Sequence, residues 1–453
     1  MRNPGSNGNA WILSERAHCT AYTPAVNILR TNFSALWRHC QPMSEPVVTV
    51  VTPSYNQGGF IRATIESVLS QDYPRIEYII MDGGSNDETA AVVKDYSSRL
   101  TFISEKDRGQ SHAINKGFQM ARGSIVSWLN SDDLYLPGAV RNAVTTFGRS
   151  PSAGAVYGEG YLIDRAGNVT SRFPCTEDFN LWKLVHLSDY ILQQTVYFRK
   201  EALSRVGYLD EDLHYVMDWD ILIRIGMQYP LLYVPAYMGC LREYPEAKSF
   251  AGGARRAREI RMMLRRHTGK FIPAGYIVYG LDTYQKIWCD RIQRMFASVK
   301  PLQRPLQSSI RFAAGTIIGR TIRESQGLYS DGWAGRVLRF MLPAAEGSAM
   351  VIEGTLPEWP ALSGQVLRVM ANGRRLGDVR IAHGDFQVEM ELPPELHGRV
   401  LDLTVTASRW VLPGGRFTLR GDRRRLAYLL RGIRCGQVFG FAEKSARAAS
   451  MGS

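Results

Sequence analysis

Between residues 47 and 133, short apolar runs alternate with segments of helical period, and each run stops at a polar cluster. Val47-Val48-Thr49-Val50-Val51 is β-branched, ends at Pro53, and reads as a strand buried on both faces. Residues 76–81 form a second such run, stopping at Asp82-Gly83-Gly84-Ser85. Residues 100–104 form a third, and residues 124–129 a fourth that stops at Asn130-Ser131-Asp132-Asp133. Between them, Ile61, Ile65, Val68 and Leu69 keep helical spacing over 58–70. Further helices are expected over 86–96 and 110–121, with Gly123 placed to end the second. This alternation predicts right-handed βαβ units and a mostly parallel sheet in an α/β fold. Ligands of such sheets bind beyond the carboxyl ends of the strands. Thr52-Pro53-Ser54-Tyr55-Asn56, Asp82-Gly83-Gly84-Ser85, Glu105-Lys106-Asp107-Arg108 and Asp132-Asp133 would therefore share one polar, acidic rim.

The pattern then loosens. Residues 155–163 and 169–173 flank Asp164-Arg165-Ala166-Gly167, a hairpin turn. A strand is expected over 195–198, a helix over 218–227 and a strand over 231–241. Residues 251–325 read as helical and basic. From Trp333 the period becomes two, with runs at 337–340, 349–352, 366–370, 379–381, 386–392 and 400–405. Asn372-Gly373 is a strong hairpin signal, and the series suggests a β-sandwich. The expected divisions are an N-terminal extension (1–45, where Met43 is an alternative start), a catalytic domain (46–250), a basic helical segment (251–329), a β-sandwich-like accessory domain (330–440) and a tail (441–453). A chain of 453 residues suits two or three domains.

Composition narrows the class. No run of about 18 apolar residues is present, so no membrane-spanning helix is expected. No apolar segment follows Arg2 before Ser14-Glu15-Arg16, so no signal peptide is expected. Cys19, Cys40, Cys175, Cys240, Cys289 and Cys435 form no CxxC pair, which favours free thiols in a reducing cytoplasm. Most of the net charge of +13 lies in residues 251–330, which hold 15 Lys/Arg against 4 Asp/Glu. Such a block suits a polyanionic partner or a merely solvated face. Phe271-Ile272-Pro273 and the spacing of Tyr284, Ile287, Trp288, Ile292 and Phe296, interspersed with Lys286, Arg291, Arg294 and Lys300, leave two readings open. One is a helix lying on anionic lipid, a peripheral contact at the inner membrane face; the other is an aromatic stripe packed on the catalytic domain.

The rim residues carry chemistry. Asp132 and Asp133 at a strand end can hold a hard divalent cation that also takes phosphate oxygens, although an acidic pair after a strand is often only a turn or helix cap. An NTPase would add a G-x-x-x-x-G-K-[ST] loop, which this chain lacks. His112 and His214 have no partner at H-x-x-x-H spacing. Asp82, with Asp87 nearby, can accept hydrogen bonds from a base or ribose. Asp218, opening a helix in Met217-Asp218-Trp219-Asp220, suits a general base or a helix cap.

Taken in order, Val50-Val51-Thr52-Pro53-Ser54-Tyr55-Asn56-Gln57, Met81-Asp82-Gly83-Gly84-Ser85-Asn86-Asp87-Glu88-Thr89, Asp107-Arg108-Gly109-Gln110-Ser111, Asn115-Lys116-Gly117, Trp128-Leu129-Asn130-Ser131-Asp132-Asp133-Leu134-Tyr135-Leu136-Pro137-Gly138 and Asp218-Trp219-Asp220 with Arg224 resemble the motifs of family-2 glycosyltransferases. The resemblance covers residues 46–250. It implies the glycosyltransferase-A fold and inverting sugar transfer from a nucleotide-sugar donor to a glycan or lipid-linked acceptor, as in bacterial surface polysaccharide synthesis. It places Thr52, Pro53, Tyr55, Asp82, Arg108, Gln110 and Asp132 around the donor, Asp133 on Mn²⁺ or Mg²⁺, and Asp218 as catalytic base. Met217 stands where the family often has Glu, Ser131 where many members have Asp, and His112 where relatives often carry an acid. Arg242-Glu243-Tyr244-Pro245 and Lys248-Ser249 match the family's Arg-x-His loop only loosely, leaving Arg242 and Lys248 as weaker candidates. The C-terminal strands, through Gly421-Asp422-Arg423-Arg424-Arg425-Leu426-Ala427-Tyr428, resemble accessory domains of bacterial glycosyltransferases, for carbohydrate binding, oligomer contacts or a structural lid.

Two alternatives are weighed. A sugar-nucleotide nucleotidyltransferase needs a basic residue in its Gly-rich loop, which Ser54-Tyr55-Asn56-Gln57-Gly58-Gly59 lacks. A nucleic-acid-binding protein would use the basic block, but no helix-turn-helix, RRM or zinc-finger pattern accompanies it, which argues against nucleic acid.

Overall fold

The computed structural model describes residues 45–174, 176–248, 252–295, 333–344, 349–411, 426–435 and 438–441, with short stretches between 306 and 328. The extension before Glu45, Cys19, Cys40, Cys175, Ser249, Phe296, Lys300, 421–425 and the tail after Phe441 lie outside the described residues.

The expected alternation is present from the first strand. It runs β1 (Val48–Ser54), α1 (Gly58–Leu69), β2 (Ile76–Asp82), α2 (Thr89–Lys94), β3 (Thr101–Ser104), α3 (Gln110–Met120) and β4 (Ile125–Trp128). There follow β5 (Leu134–Tyr135), α4 (Ala139–Arg149), β6 (Ala155–Ile163), β7 (Val169–Arg172), α5 (Leu181–His186), β8 (Tyr197–Arg199), α6 (Lys200–Val206), α7 (Met217–Gly226) and β9 (Leu231–Arg242). The sheet order is β3-β2-β1-β4-β8-β6-β9-β5, with β7 paired to β6. The expected parallel pairing holds across β3-β2-β1-β4. Beyond β4 the sheet is mixed: β8 is antiparallel to both β4 and β6, whereas β6 and β9 are parallel.

Helices cover both faces, which is why every residue of β1 is buried. Val48 and Val50 point into one core with Ile61 and Ile65 of α1 and Val140 and Phe147 of α4. Val51 points into the other with Phe118 of α3, Ile221 and Ile225 of α7, and Trp128. Gly117 lets α3 lie close on β1, since a Cβ there would sit 2.4 Å from Val51 Cγ1.

The chain continues through two helices, α8 (Gly253–Thr268) and α9 (Ala274–Met295). Ile260, Met263 and Leu264 of α8 are fully buried in the same core as α7. The expected aromatic stripe of α9 divides: Ile292 is buried, whereas Tyr284 and Trp288 are exposed.

The last region is antiparallel throughout: β10 (Trp333–Gly335), β11 (Val337–Pro343), β12 (Ala349–Leu356), β13 (Val366–Ala371), β14 (Arg374–Arg380), β15 (Gly384–Glu391), β16 (Val400–Ala407), β17 (Leu426–Cys435) and β18 (Val438–Phe441). One sheet runs β10-β17-β12-β15 with β18 on β17, the other β11-β16-β13-β14. Leu338, Phe340, Ile352, Val369, Leu403 and Tyr428 share their core. Asn372 and Gly373 both take positive φ, 48° and 79°, as a two-residue hairpin requires. Because β14 follows that turn at once, it starts five residues before the expected strand. Met341 and Val400 pack against the core that holds α3 and α7.

Candidate active site

Register aligns the strand ends. Ser54 lies beside Asp82, and Asp82 beside Ser104, while Leu129 N donates to Val51 O at 2.9 Å just after β4. The polar rim expected from sequence is therefore a real edge.

The loops after β1 and β2 are tied together. Asn56 N donates to Ser85 Oγ at 2.8 Å, and Asn86 N donates to Asn56 Oδ1 at 3.0 Å. Asp87 takes Gly58 N at 2.9 Å and Thr89 N at 3.0 Å. Thr52 and Pro53 are buried within β1, so they form the floor; Thr52 Oγ1 pairs with Tyr78 OH at 3.0 Å. Tyr55 is 60% exposed and stands over Gly83, where a Cβ would come within 3.3 Å of its ring and 2.8 Å of Asp107 Oδ2. Asp82 is buried and already engaged, accepting from Gly84 N, Ser85 N, Ser85 Oγ and Ser104 Oγ. Its position shapes the turn and leaves little of its carboxylate open to a base.

The acidic pair is divided by burial. Asp133 is 1% exposed. Its Oδ2 accepts from Gln194 Nε2 at 2.6 Å and Asn130 Nδ2 at 2.9 Å, and its Oδ1 from Arg242 N at 2.8 Å. Asp132 is only half-buried and accepts from Tyr244 OH at 2.7 Å. Burial pushes both carboxyls above the ordinary range, and for Asp133 the neighbouring Asp132 adds to the rise. Arg242 is brought to the pair, but its guanidinium is spent on the carbonyls of Asp132, Asp164 and Arg165.

Asp218 occupies the first turn of α7, and Trp219 N donates to its Oδ1 at 2.9 Å. Burial raises its proton affinity, with the Trp219 N–H and the charges of Arg256 and Lys248 opposing. Lys248 lies in this part of the cleft, donating to Gln110 Oε1 at 2.6 Å with Met217 Sδ 3.9 Å away. Gln110 Nε2 donates to Asn130 Oδ1 at 2.7 Å. A continuous polar chain thus runs from Lys248 through Gln110 and Asn130 to Asp133. Arg108 stands outside it, exposed and paired with Glu211 at 2.6 Å.

Several residues here escape sequence reading. Gln194 touches Asp133 across 61 positions of chain. Glu259 of α8 accepts from the backbone N–H groups of His214 (3.0 Å) and Tyr215 (2.7 Å), fixing the approach to α7. Asp220, 1% exposed, is held by Arg224 Nε and by His267 Nε2 of α8, each at 2.7 Å. Asp189 is close enough to Asp218 for their charges to raise its proton affinity, after the larger effect of burial. No motif flagged it.

Among the described residues no three His, Cys, Asp or Glu side chains form a closed metal cage. The donor set fits a cation of the kind held by one or two carboxylates plus substrate phosphate oxygens. Asp132 offers the more open oxygens, and Asp133 lies beside it with its own largely taken.

Residues 49–202 match the family described as Glycosyl transferase family 2. The chain carries a family-2 glycosyltransferase domain over that stretch. An uncharacterized glycosyltransferase of Rickettsia prowazekii is 28% identical over 189 residues, covering 40% of this chain and 59% of that protein. The chondroitin synthase of Escherichia coli is 28% identical over 192 residues, 42% of this chain and 28% of that protein. This chain thus spans less than two thirds of those relatives' lengths. Staphylococcus aureus TarS 1-349 in complex with UDP-GlcNAc aligns at 17% identity and a TM-score of 0.40, covering 63% of this chain and 93% of that one. A mannosyltransferase from Pyrobaculum calidifontis in complex with GDP-Man and Mn²⁺ aligns at 19% identity and a TM-score of 0.36, covering 61% and 76%. Likeness at that level carries no argument about substrate.

Proposed function

We propose that this chain is an inverting glycosyltransferase that moves a sugar from a nucleoside-diphosphate donor to a hydroxyl of a glycan, free or lipid-linked. The observation that supports it most is the polar chain joining the acidic pair after β4 to Lys248 beside Asp218. On this reading a diphosphate site and a carboxylate base share one rim. Tyr55 offers an open ring to the nucleobase, over a floor of Thr52 and Pro53, with Asp82 holding the turn beneath. Asp132 and Asp133 would hold Mn²⁺ or Mg²⁺, which when bound supplies positive charge for the leaving diphosphate. Arg108 and Lys248 add positive charge at the outer and inner edges.

Asp218 takes the proton of the acceptor hydroxyl as that oxygen bonds to the anomeric carbon. The bond to the diphosphate oxygen breaks on the opposite face, so one displacement inverts the centre. Burial strengthens Asp218 as a base, and its α7 backbone fixes its direction. The proposed division of labour keeps transfer in residues 46–250 and an accessory role in residues 330–440. A cytoplasmic setting suits the three described cysteines, all free.

The test is nucleoside-diphosphate release from UDP-, GDP- and dTDP-sugars with Mn²⁺ and a bacterial lipid or glycan extract. Release from one donor, lost in Asp218→Asn and in Asp132→Ala/Asp133→Ala, is expected. Unchanged release in Asp218→Asn would overturn the assignment of the base.

A further inference from the structure

Helices α8 and α9 each carry an exposed stripe that the proposed transfer site does not include. On α8, Arg255, Arg258, Met262 and Arg265 are exposed at i, i+3, i+7 and i+10, a single stripe opposite the buried Ile260, Met263 and Leu264. On α9, Tyr284, Trp288, Arg291 and Met295 are exposed at i, i+4, i+7 and i+11, again one stripe. The turn between the helices holds Phe271 and Ile272 out in water, 63% and 55% exposed.

The charge in this segment is strongly one-sided. Residues 252–295 hold ten Lys/Arg against three Asp/Glu, and one of those acids, Glu259, is buried against the loop before α7. Arg266 is paired with Asp210. Arg258, Arg261, Arg265 and Arg291 meet no carboxylate among the described residues. Three of them lie on aromatic rings: Arg261 is 4.6 Å and Arg265 5.3 Å from the Phe271 ring centre, and Arg291 is 5.5 Å from that of Trp288. Guanidinium groups beside exposed aromatic rings and an aliphatic tip match the boundary between lipid headgroups and acyl chains. Single-stranded nucleic acid also takes Arg and aromatic rings, but it stacks flat bases and gives Ile272 and Met262 nothing to bury in.

We propose that the α8–α9 hairpin docks on a membrane surface bearing anionic phosphate headgroups, with Phe271 and Ile272 entering the acyl boundary and the arginines meeting the phosphates. Glu259 and His267 bond α8 to the loop before α7 and to Asp220, so a surface that holds the hairpin also fixes the orientation of the Asp218 helix toward it. Only this last consequence rests on the transferase reading, where it bears on an acceptor carried by lipid.

The test uses the full chain in flotation with phosphatidylcholine vesicles, with and without about one-third phosphatidylglycerol, at about 0.1 M and at severalfold higher salt. Binding to the anionic vesicles only, weakened by salt, is expected. Removing one surface arginine should cost roughly fivefold in partition. Arg258→Glu/Arg265→Glu should therefore lose more than tenfold, and Phe271→Ser/Ile272→Ser should abolish binding in low salt. All these positions face water, and an unchanged thermal melt confirms folding. Failure of the wild type to float, equal flotation of the variants, or tighter binding to random nucleic acid than to vesicles overturns the proposal. Donor turnover measured on the same preparations separates the two readings. A protein that turns over donor yet ignores vesicles refutes only the surface, and one that floats but never binds donor refutes only the transferase.

Discussion

Asp218 and Asp220 sit two residues apart on α7, yet the structure gives their substitutions opposite consequences. Asp220 is buried between Arg224 and His267, which hold its carboxyl below the usual range despite burial. Removing one partner of a buried pair costs about 3–5 kcal/mol. In Asp220→Ala, Arg224 keeps its bonds to the carbonyls of Val206, Gly207 and Tyr208. The cost should therefore fall at the lower end, about 3 kcal/mol, a sizeable part of the ~5–15 kcal/mol of a typical fold. A domain of this size loses about 2–4 °C per kcal/mol, so Tm should drop by roughly 6–12 °C. Asp218 is the reverse case. Its carboxyl is pushed up by burial, so its ionised form works against folding, and Asp218→Asn should leave stability unchanged or higher while turnover is lost. Urea titrations followed by far-UV circular dichroism, with equal slopes, read both. If Asp218→Asn lost about 3 kcal/mol and Asp220→Ala less than about 1, the structural and chemical roles would have been exchanged.

Burial, with Lys270 and Arg339 nearby, lowers the His186 pKa from 6.5 to about 4. The unfolded chain therefore takes up the proton first, and stability should fall by up to about 3 kcal/mol as pH drops from 6.5 toward 4, a loss that His186→Leu should not show in pH-dependent urea midpoints. Burial also lowers the Lys248 ammonium to about 8, with Asp218 and Glu259 opposing. If it serves the diphosphate, kcat/KM should fall above pH 8, the limb should move up in Lys248→Arg, and a limb unchanged in Lys248→Arg would refute the role. Gly83→Ala should push Asp107 and Tyr55 aside, weakening donor binding on the order of tenfold with little change in the urea midpoint; calorimetric titration with donor decides it.

The first half of the sheet was legible because its signals are local. β1 to β4 each combine an apolar run with a breaker, and the acidic pair sits where the fourth run stops. What was not legible depends on distant partners. Gln194, His267 and Glu259 carry no motif, and their bonds to Asp133, Asp220 and His214 span 61, 47 and 45 positions. α4 is a different case: Ala139, Val140, Ala143 and Phe147 keep helical spacing on one buried face, so its signal is present in the sequence. β17 was missed because its alternation breaks at a register shift opposite Glu353 and Gly354. β14 hid for another reason: it is an edge strand, largely polar, and charge at an edge suppresses pairing with other chains. The chemical weighting of the acidic pair also needed coordinates, since adjacent Asp residues look alike in sequence and differ here by burial and by bonding partners.

The packing of α8 into the core it shares with α7 has a practical consequence for anyone making this protein in pieces. A recombinant fragment ending at residue 250 would strip Ile260, Met263 and Leu264 from the core they share with α7 and leave the backbone N–H groups of His214 and Tyr215 without their carboxylate. Such a fragment should be prone to aggregation, and the shortest soluble version should extend at least through Met295.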